Sequence, residues 1–192
     1  MPSFMIHLLT ARLADQSRGP LYFIGNLAPD AQNSFQLKEH AHLRDCPDRG
    51  AALAEFARGI DPAEDFAEGV LLHLYTDWRW DTTQLRRYRD TVEDLASYAW
   101  VKDYRRETWL ASSWLYRTHS WAPGMWKDML AIPRKNYGAL DGIAPGEIFS
   151  LLDNGRQRLE DNRGPPSQFY TTEIVETFAK ETAVSYMTWR QS

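Results

Sequence analysis

The chain has 192 residues, 43% of them hydrophobic and 25% charged, with a net charge of −4. That length suits one domain, residues 1–192, with its own core, and the acidic balance argues against nucleic acid as a partner. The single cysteine, Cys46, excludes an intramolecular disulfide, and no run approaches the roughly 20 apolar residues of a membrane span.

The stretch MPSFMIHLLTARLAD has no basic leader region and does not read as a signal peptide, so a cytoplasmic location is expected. Ser3 is placed to cap a first helix from Phe4 to near Ala14. Residues 19–31, GPLYFIGNLAPDA, read as a short apolar helix ended by Pro29 and its neighbours. The polar segment 33–48 has no assigned state. A short helix follows from Gly50 to Arg58, stopped at Gly59. Asp61-Pro62-Ala63-Glu64 carries cap, proline and capping-box glutamate in order, and opens a helix to about Trp80. Asp81-Thr82-Thr83-Gln84 repeats the pattern and opens another, Thr82 to about Tyr104. Arg86, Arg87 and Arg89 on it read as a solvated face paired with Asp90 and Glu93. Another helix runs from Thr108 to about Thr118. The proline- and glycine-rich stretch 121–146 holds one short helix and turns. Pro145 opens a helix through Ile148, Leu152 and Leu159. After the Gly164-Pro165-Pro166 break, a last helix runs from Thr172 to Trp189. Helical spacing dominates throughout, so the fold class is an all-α, single-domain bundle.

His73 and Asp77 are four residues apart, so both project from one helix face about one turn apart. Imidazole and carboxylate at that spacing make a workable bite for one metal ion. Val70, Leu71, Leu72, Leu74 and Trp78 surround the pair, and a buried aspartate there needs a compensating charge. A core His–Asp hydrogen bond satisfies the same facts. His7 in MIHLL reads alone as a core histidine, Asp30 after Pro29 as a turn residue, and His40 and His42 in KEHAHLRD as surface histidines. The rings of Tyr22, Phe23, Tyr75, Trp78 and Trp80 read as core packing or as the wall of a cleft.

Taken in order, MPSFMIHLLTA, FIGNLAPDA, KEHAHLRD and GVLLHLYTDWRWD resemble the zinc-dependent phospholipase C family, in its small bacterial cytoplasmic branch. The resemblance covers about the first 80 residues. It implies an all-helical phospholipase C-like fold, akin also to single-strand nucleases, and a metal centre built by His7, Asp30, His42, His73 and Asp77. By resemblance Asp77 is the ligand able to bridge two ions, and Asp30 doubles as ligand and general base. The secreted members hold three zinc ions with further histidines downstream. Here only His119 follows His73, so one or two ions are expected.

Zinc is the cofactor the resemblance implies, and other divalent transition metals suit the same nitrogen and oxygen donors. The expected activity is hydrolysis of a phosphate ester, more readily a diester or phospholipid-like molecule, by metal-activated water. Lys38, four residues before His42, is placed to assist an anionic substrate. Arg44 and Asp45 are candidates to orient a ligand histidine, while Asp81 is accounted for as a helix cap. Two alternatives stand beside this: a non-catalytic helical protein with a structural metal, and a metal-dependent hydrolase of a small carbonyl substrate. The sequence leaves the oligomeric state open.

Overall fold

A computed structural model describes residues 2–32 and 34–191. Among these the fold is helical: ten α-helices, two 3-10 turns and no strand, with one isolated bridge between Leu140 and Ile143. Among the described residues no helix is long and apolar enough to cross a membrane.

α1 (Phe4–Ala14) runs through the middle, and every residue from Met5 to Ala11 is buried. A helix enclosed on all sides needs apolar residues all round, and MIHLLTA supplies them with two exceptions, His7 and Thr10, whose hydroxyl donates to Ile6 O (2.9 Å). Its N-terminus is not closed by Ser3. The Ser3 hydroxyl instead donates to Thr108 O (2.7 Å), and Ser112 Oγ accepts the Met5 N–H (2.9 Å). α2 (Pro20–Gly25) and a 3-10 turn (Ala28–Ala31) divide the segment expected to be a single helix.

α3 (Phe35–Ala41) forms in the polar stretch and has no buried residue. α4 (Arg49–Arg58) is capped by Asp48, whose side chain accepts Ala51 N–H (2.9 Å). α5 (Asp65–Thr82) is the second core helix, buried almost continuously from Phe66 to Asp77. It begins three residues later than the Asp61 motif suggests, with Glu64 in the cap position. Asp61 is satisfied in its own turn, accepting Ala63 N–H at 2.9 Å, and Asp65 is held by Arg18 (2.9 Å) and Gly19 N–H (3.2 Å).

The expected helix 82–104 is broken. α6 (Gln84–Arg89) stops early, and α7 (Ala99–Thr118) runs unbroken across the expected gap before Thr108. Asp94 and Ser97 explain the break, because short polar side chains offer the backbone local alternatives to a helix. Asp94 accepts Ala96 N–H (3.0 Å), Ser97 Oγ donates to Asp94 O (3.2 Å), and Tyr98 turns left-handed at φ 55°. The expected pairs of Arg86, Arg87 and Arg89 with Asp90 and Glu93 do not form among the described residues. Arg89 stacks over Trp100 instead. α8 (Ala122–Ala131), α9 (Pro145–Asp161) and α10 (Thr172–Arg190) complete the bundle, with α10 packed along α1.

α2 and α5 cross backbone to backbone at two glycines. A Cβ on Gly69 would lie 2.0 Å from Tyr22 O, and one on Gly25 would lie 2.0 Å from Phe66 O. Only glycine permits that approach, and it brings the end of α2 against the face of α5 that carries His73. The ring-rich flanks resolve as core: Tyr22, Phe23, Tyr75 and Trp80 are buried, and Trp80 Nε1 donates to Tyr104 OH (2.7 Å).

Candidate metal centre

Four elements converge at one point in the core. α1 contributes His7, the 3-10 turn Asp30, the residue closing α3 His42, and α5 both His73 and Asp77. His7, His42, His73 and Asp77 are fully buried, and the Asp30 side chain is 7% exposed. All five expected ligands are therefore brought together. The other two histidines lie elsewhere. His40 is on the surface with Asp45 (2.8 Å), which corrects the expectation that Asp45 orients a ligand. His119 ends α7, 3.5 Å from Glu176.

Two histidines are held by backbone carbonyls. His73 Nδ1 donates to Asn26 O (2.8 Å) and His42 Nδ1 donates to Lys38 O (2.7 Å). A carbonyl only accepts, so each Nδ1 carries its proton and each neutral ring presents a bare Nε2. Those two Nε2 atoms face each other at 3.1 Å. Two lone pairs at that distance repel unless a cation lies between them. Burial, then the neighbouring His7, keeps His73 from protonating near neutrality.

The surrounding donors outnumber what one shared proton would use. His42 Nε2 is 3.6 Å from both Asp30 Oδ1 and Asp77 Oδ2, and His73 Nε2 is 4.0 Å from Asp77 Oδ2. His7 stacks on His73 at 4.1 Å, its Nε2 3.4 Å from Asp77 Oδ1. Neither His7 nitrogen has a hydrogen-bond partner, nor does Asp77 Oδ1. Zinc ligands sit at about 2.0–2.2 Å, so any two donors of one ion lie within about 4.4 Å. The measured separations, 3.1 to 4.0 Å, fit that limit. Unpartnered buried atoms, ligand chemistry and spacing all match a transition-metal ion.

The donors fall into two groupings, His7–Asp30–His73 and His42–His73–Asp77. Both need His73, whose only free nitrogen is Nε2, so the two groupings could not each hold an ion through it at the same time.

Both carboxylates are ionised. Burial alone would raise the Asp30 carboxyl, but the Lys38 ammonium beside it holds it far below the usual range. Asp77 is likewise held well below it against burial, by the facing His7 and the Arg44 guanidinium. Lys38 Nζ lies 2.8 Å from Asp30 Oδ1, and Arg44 Nη2 lies 2.9 Å from Asp77 Oδ2. Arg44 is itself clamped, with Nε 3.1 Å from Asp81 Oδ2, which also takes Arg49 (2.8 Å). Burial opposes the Arg44 charge, yet Asp77 and Asp81 keep it firmly protonated. Asp81 therefore lies inside α5 as the acceptor of two arginines and does not cap α6.

Sequence reasoning missed Asn26. It is fully buried, and its backbone carbonyl fixes the His73 tautomer. With its amide turned to satisfy both neighbours, the nitrogen reaches His7 O (3.0 Å) and the oxygen accepts His73 N–H (3.2 Å). One polar side chain thus ties α1 to α5. The signal was present in FIGNLAPDA, as an asparagine set in an apolar run. The cavities of about 460, 400 and 300 Å³ are lined by other residues, the ligands not among them. The edge of the cluster that reaches solvent is formed by Asp30, Arg44 and Lys38, whose side chains are 7%, 17% and 25% exposed. No protein-family model, curated protein or solved structure matches the chain.

Proposed function

We propose that the chain binds one divalent transition-metal ion, zinc by preference, through His7, Asp30, His42, His73 and Asp77, and uses it to hydrolyse a phosphate ester. The observation that carries the metal is the pair of bare Nε2 atoms of His42 and His73, 3.1 Å apart among two ionised carboxylates. The phosphate ester follows from the four-segment resemblance to zinc-dependent phospholipases C and from the cations beside the centre.

When bound, such an ion supplies an acidified water, its pKa lowered to about 7, and a Lewis acid for a phosphoryl oxygen. The chain's own groups do the rest. The Asn26 and Lys38 carbonyls fix which nitrogen His73 and His42 present. Arg44 holds Asp77 ionised and oriented. Asp30 stands at the solvent edge. Its Oδ1 faces the cluster, which leaves Oδ2 to hydrogen-bond and orient the attacking water.

Elemental analysis tests the first half. One ion per chain is expected in the wild type, with loss in His73→Ala and Asp77→Ala. Wild-type protein that holds no metal, and cannot be loaded, sinks the reading. Activity of the loaded protein on a panel of phosphate monoesters and diesters tests the second half, with loss expected in Asp30→Asn.

The complete burial of His7, His42, His73 and Asp77 favours a second reading. A structural ion closes its positions with protein ligands. Loaded protein that turns over nothing on that panel, but unfolds when chelated, selects this structural role.

A further inference from the structure

The charges around the centre bear on which phosphate group it takes. Asp30 and Asp77 are the cluster's two carboxylates, and each already faces a base. Lys38 Nζ is 2.8 Å from Asp30 Oδ1, and Arg44 Nη2 is 2.9 Å from Asp77 Oδ2. The three histidines are neutral when they present lone pairs. Asp81 is balanced by Arg49 at 2.8 Å. Glu39, 3.5 Å from Arg44, is a further acid, 34% exposed and so partly screened. The cluster by itself is thus two acids against two bases, with Glu39 at its rim. A divalent ion leaves it net positive, by about one to two charges, in a setting where four of the five ligands are fully buried. Buried charge of that size calls for a counter-charge.

Resting on the metal reading above, we propose that the ligand at the Asp30–Lys38 edge is a dianionic phosphate group, a phosphomonoester or its phosphate product. The singly charged group of a phosphodiester neutralises less of that charge and leaves Lys38 less to pair with. A monoester loses its second proton near pH 6, so at neutral pH it brings nearly two charges. Lys38 reads the difference. Asp30 Oδ1 faces both Lys38 and His42, so once that oxygen serves an ion, the ammonium is left to pair with an incoming oxygen. Lys38 is the more exposed of the two bases and sits on α3, which has no buried residue to restrain it. Arg44, clamped by Asp77 and Asp81, contributes charge without moving.

Calorimetric titration of zinc-loaded protein at pH 8 tests this, with inorganic phosphate against dimethyl phosphate as probes and zinc content measured in the same samples. Phosphate is expected to bind tighter by about tenfold or more, a gap of one decade in Kd. The gap should close in Lys38→Gln and return in Lys38→Arg. Equal affinities in the wild type, no binding of either probe, or a gap that survives Lys38→Gln overturns the proposal. The wild-type comparison decides the ligand class whatever zinc the variant retains. Zinc-loaded protein without a dianion preference overturns this inference alone. Wild type unable to hold zinc overturns the metal reading, and this with it.

Discussion

Asp77 stands between two kinds of partner. Its Oδ2 takes Arg44 at 2.9 Å, while its Oδ1 has no hydrogen-bond partner and lies 3.4 Å from His7 Nε2. Asp77→Asn removes the charge that Arg44 and an ion both use. We expect loss of bound metal and a destabilisation of about 3 kcal/mol, the low end for a broken buried pair, because Arg44 keeps Asp81. Urea unfolding of metal-free and loaded protein measures both effects. A second carboxylate gives a pH prediction away from the metal. Glu107 Oε2 accepts Ser167 Oγ (2.7 Å) and the N–H groups of Gln168 (3.0 Å) and Phe169 (3.3 Å). Burial would raise its pKa, but these donors hold it below the ordinary 4.5. A depressed carboxyl stabilises the fold at pH values above its unfolded pKa, and that contribution fades as pH falls through the folded value. Wild type should therefore exceed Glu107→Gln by about 1.5–3 kcal/mol at pH 7. The difference should shrink on acidification below about 4.5, as read from unfolding midpoints at each pH.

Among the elements, the α2–α5 crossing positions the site. Gly25 and Gly69 let two backbones touch, and that contact puts Asn26 O on His73 Nδ1. Gly69→Ala forces a Cβ to within 2.0 Å of Tyr22 O unless the helices separate. We expect a loss of about 1–3 kcal/mol or more and weaker metal binding, measured by thermal unfolding and elemental analysis. Most helices were legible from periodicity and punctuation: Phe4–Ala14, the Pro145 helix and the Thr172 helix appear with close to their expected bounds. The break at 90–98 was not, because Asp94 and Ser97 differ from helix-tolerated residues only through the turn they form. Nor was the start of α5, where a good local cap at Asp61 yields to the Arg18–Asp65 contact from 47 residues away in sequence.

At the scale of the whole molecule, a bound ion would join α1, α3, α5 and the 3-10 turn at one point, so its removal should be felt globally. A ligand that binds only the folded state adds RT ln(1 + [L]/Kd), about 4.1 kcal/mol at a thousandfold excess over Kd. Chelation should therefore lower the melting temperature of the wild type and leave that of His73→Ala unchanged. An unchanged wild-type melting temperature would rule out a tightly held ion. From the sequence alone came the helical class and the HxxxD face, because helical period is a local property, while the set of five candidate ligands came from the four-segment resemblance. Their convergence, the facing Nε2 atoms of His42 and His73 and the roles of Asn26 and Arg44 came only with the tertiary structure. Each of those depends on where chain segments tens of residues apart meet, and helical periodicity carries no record of that distance.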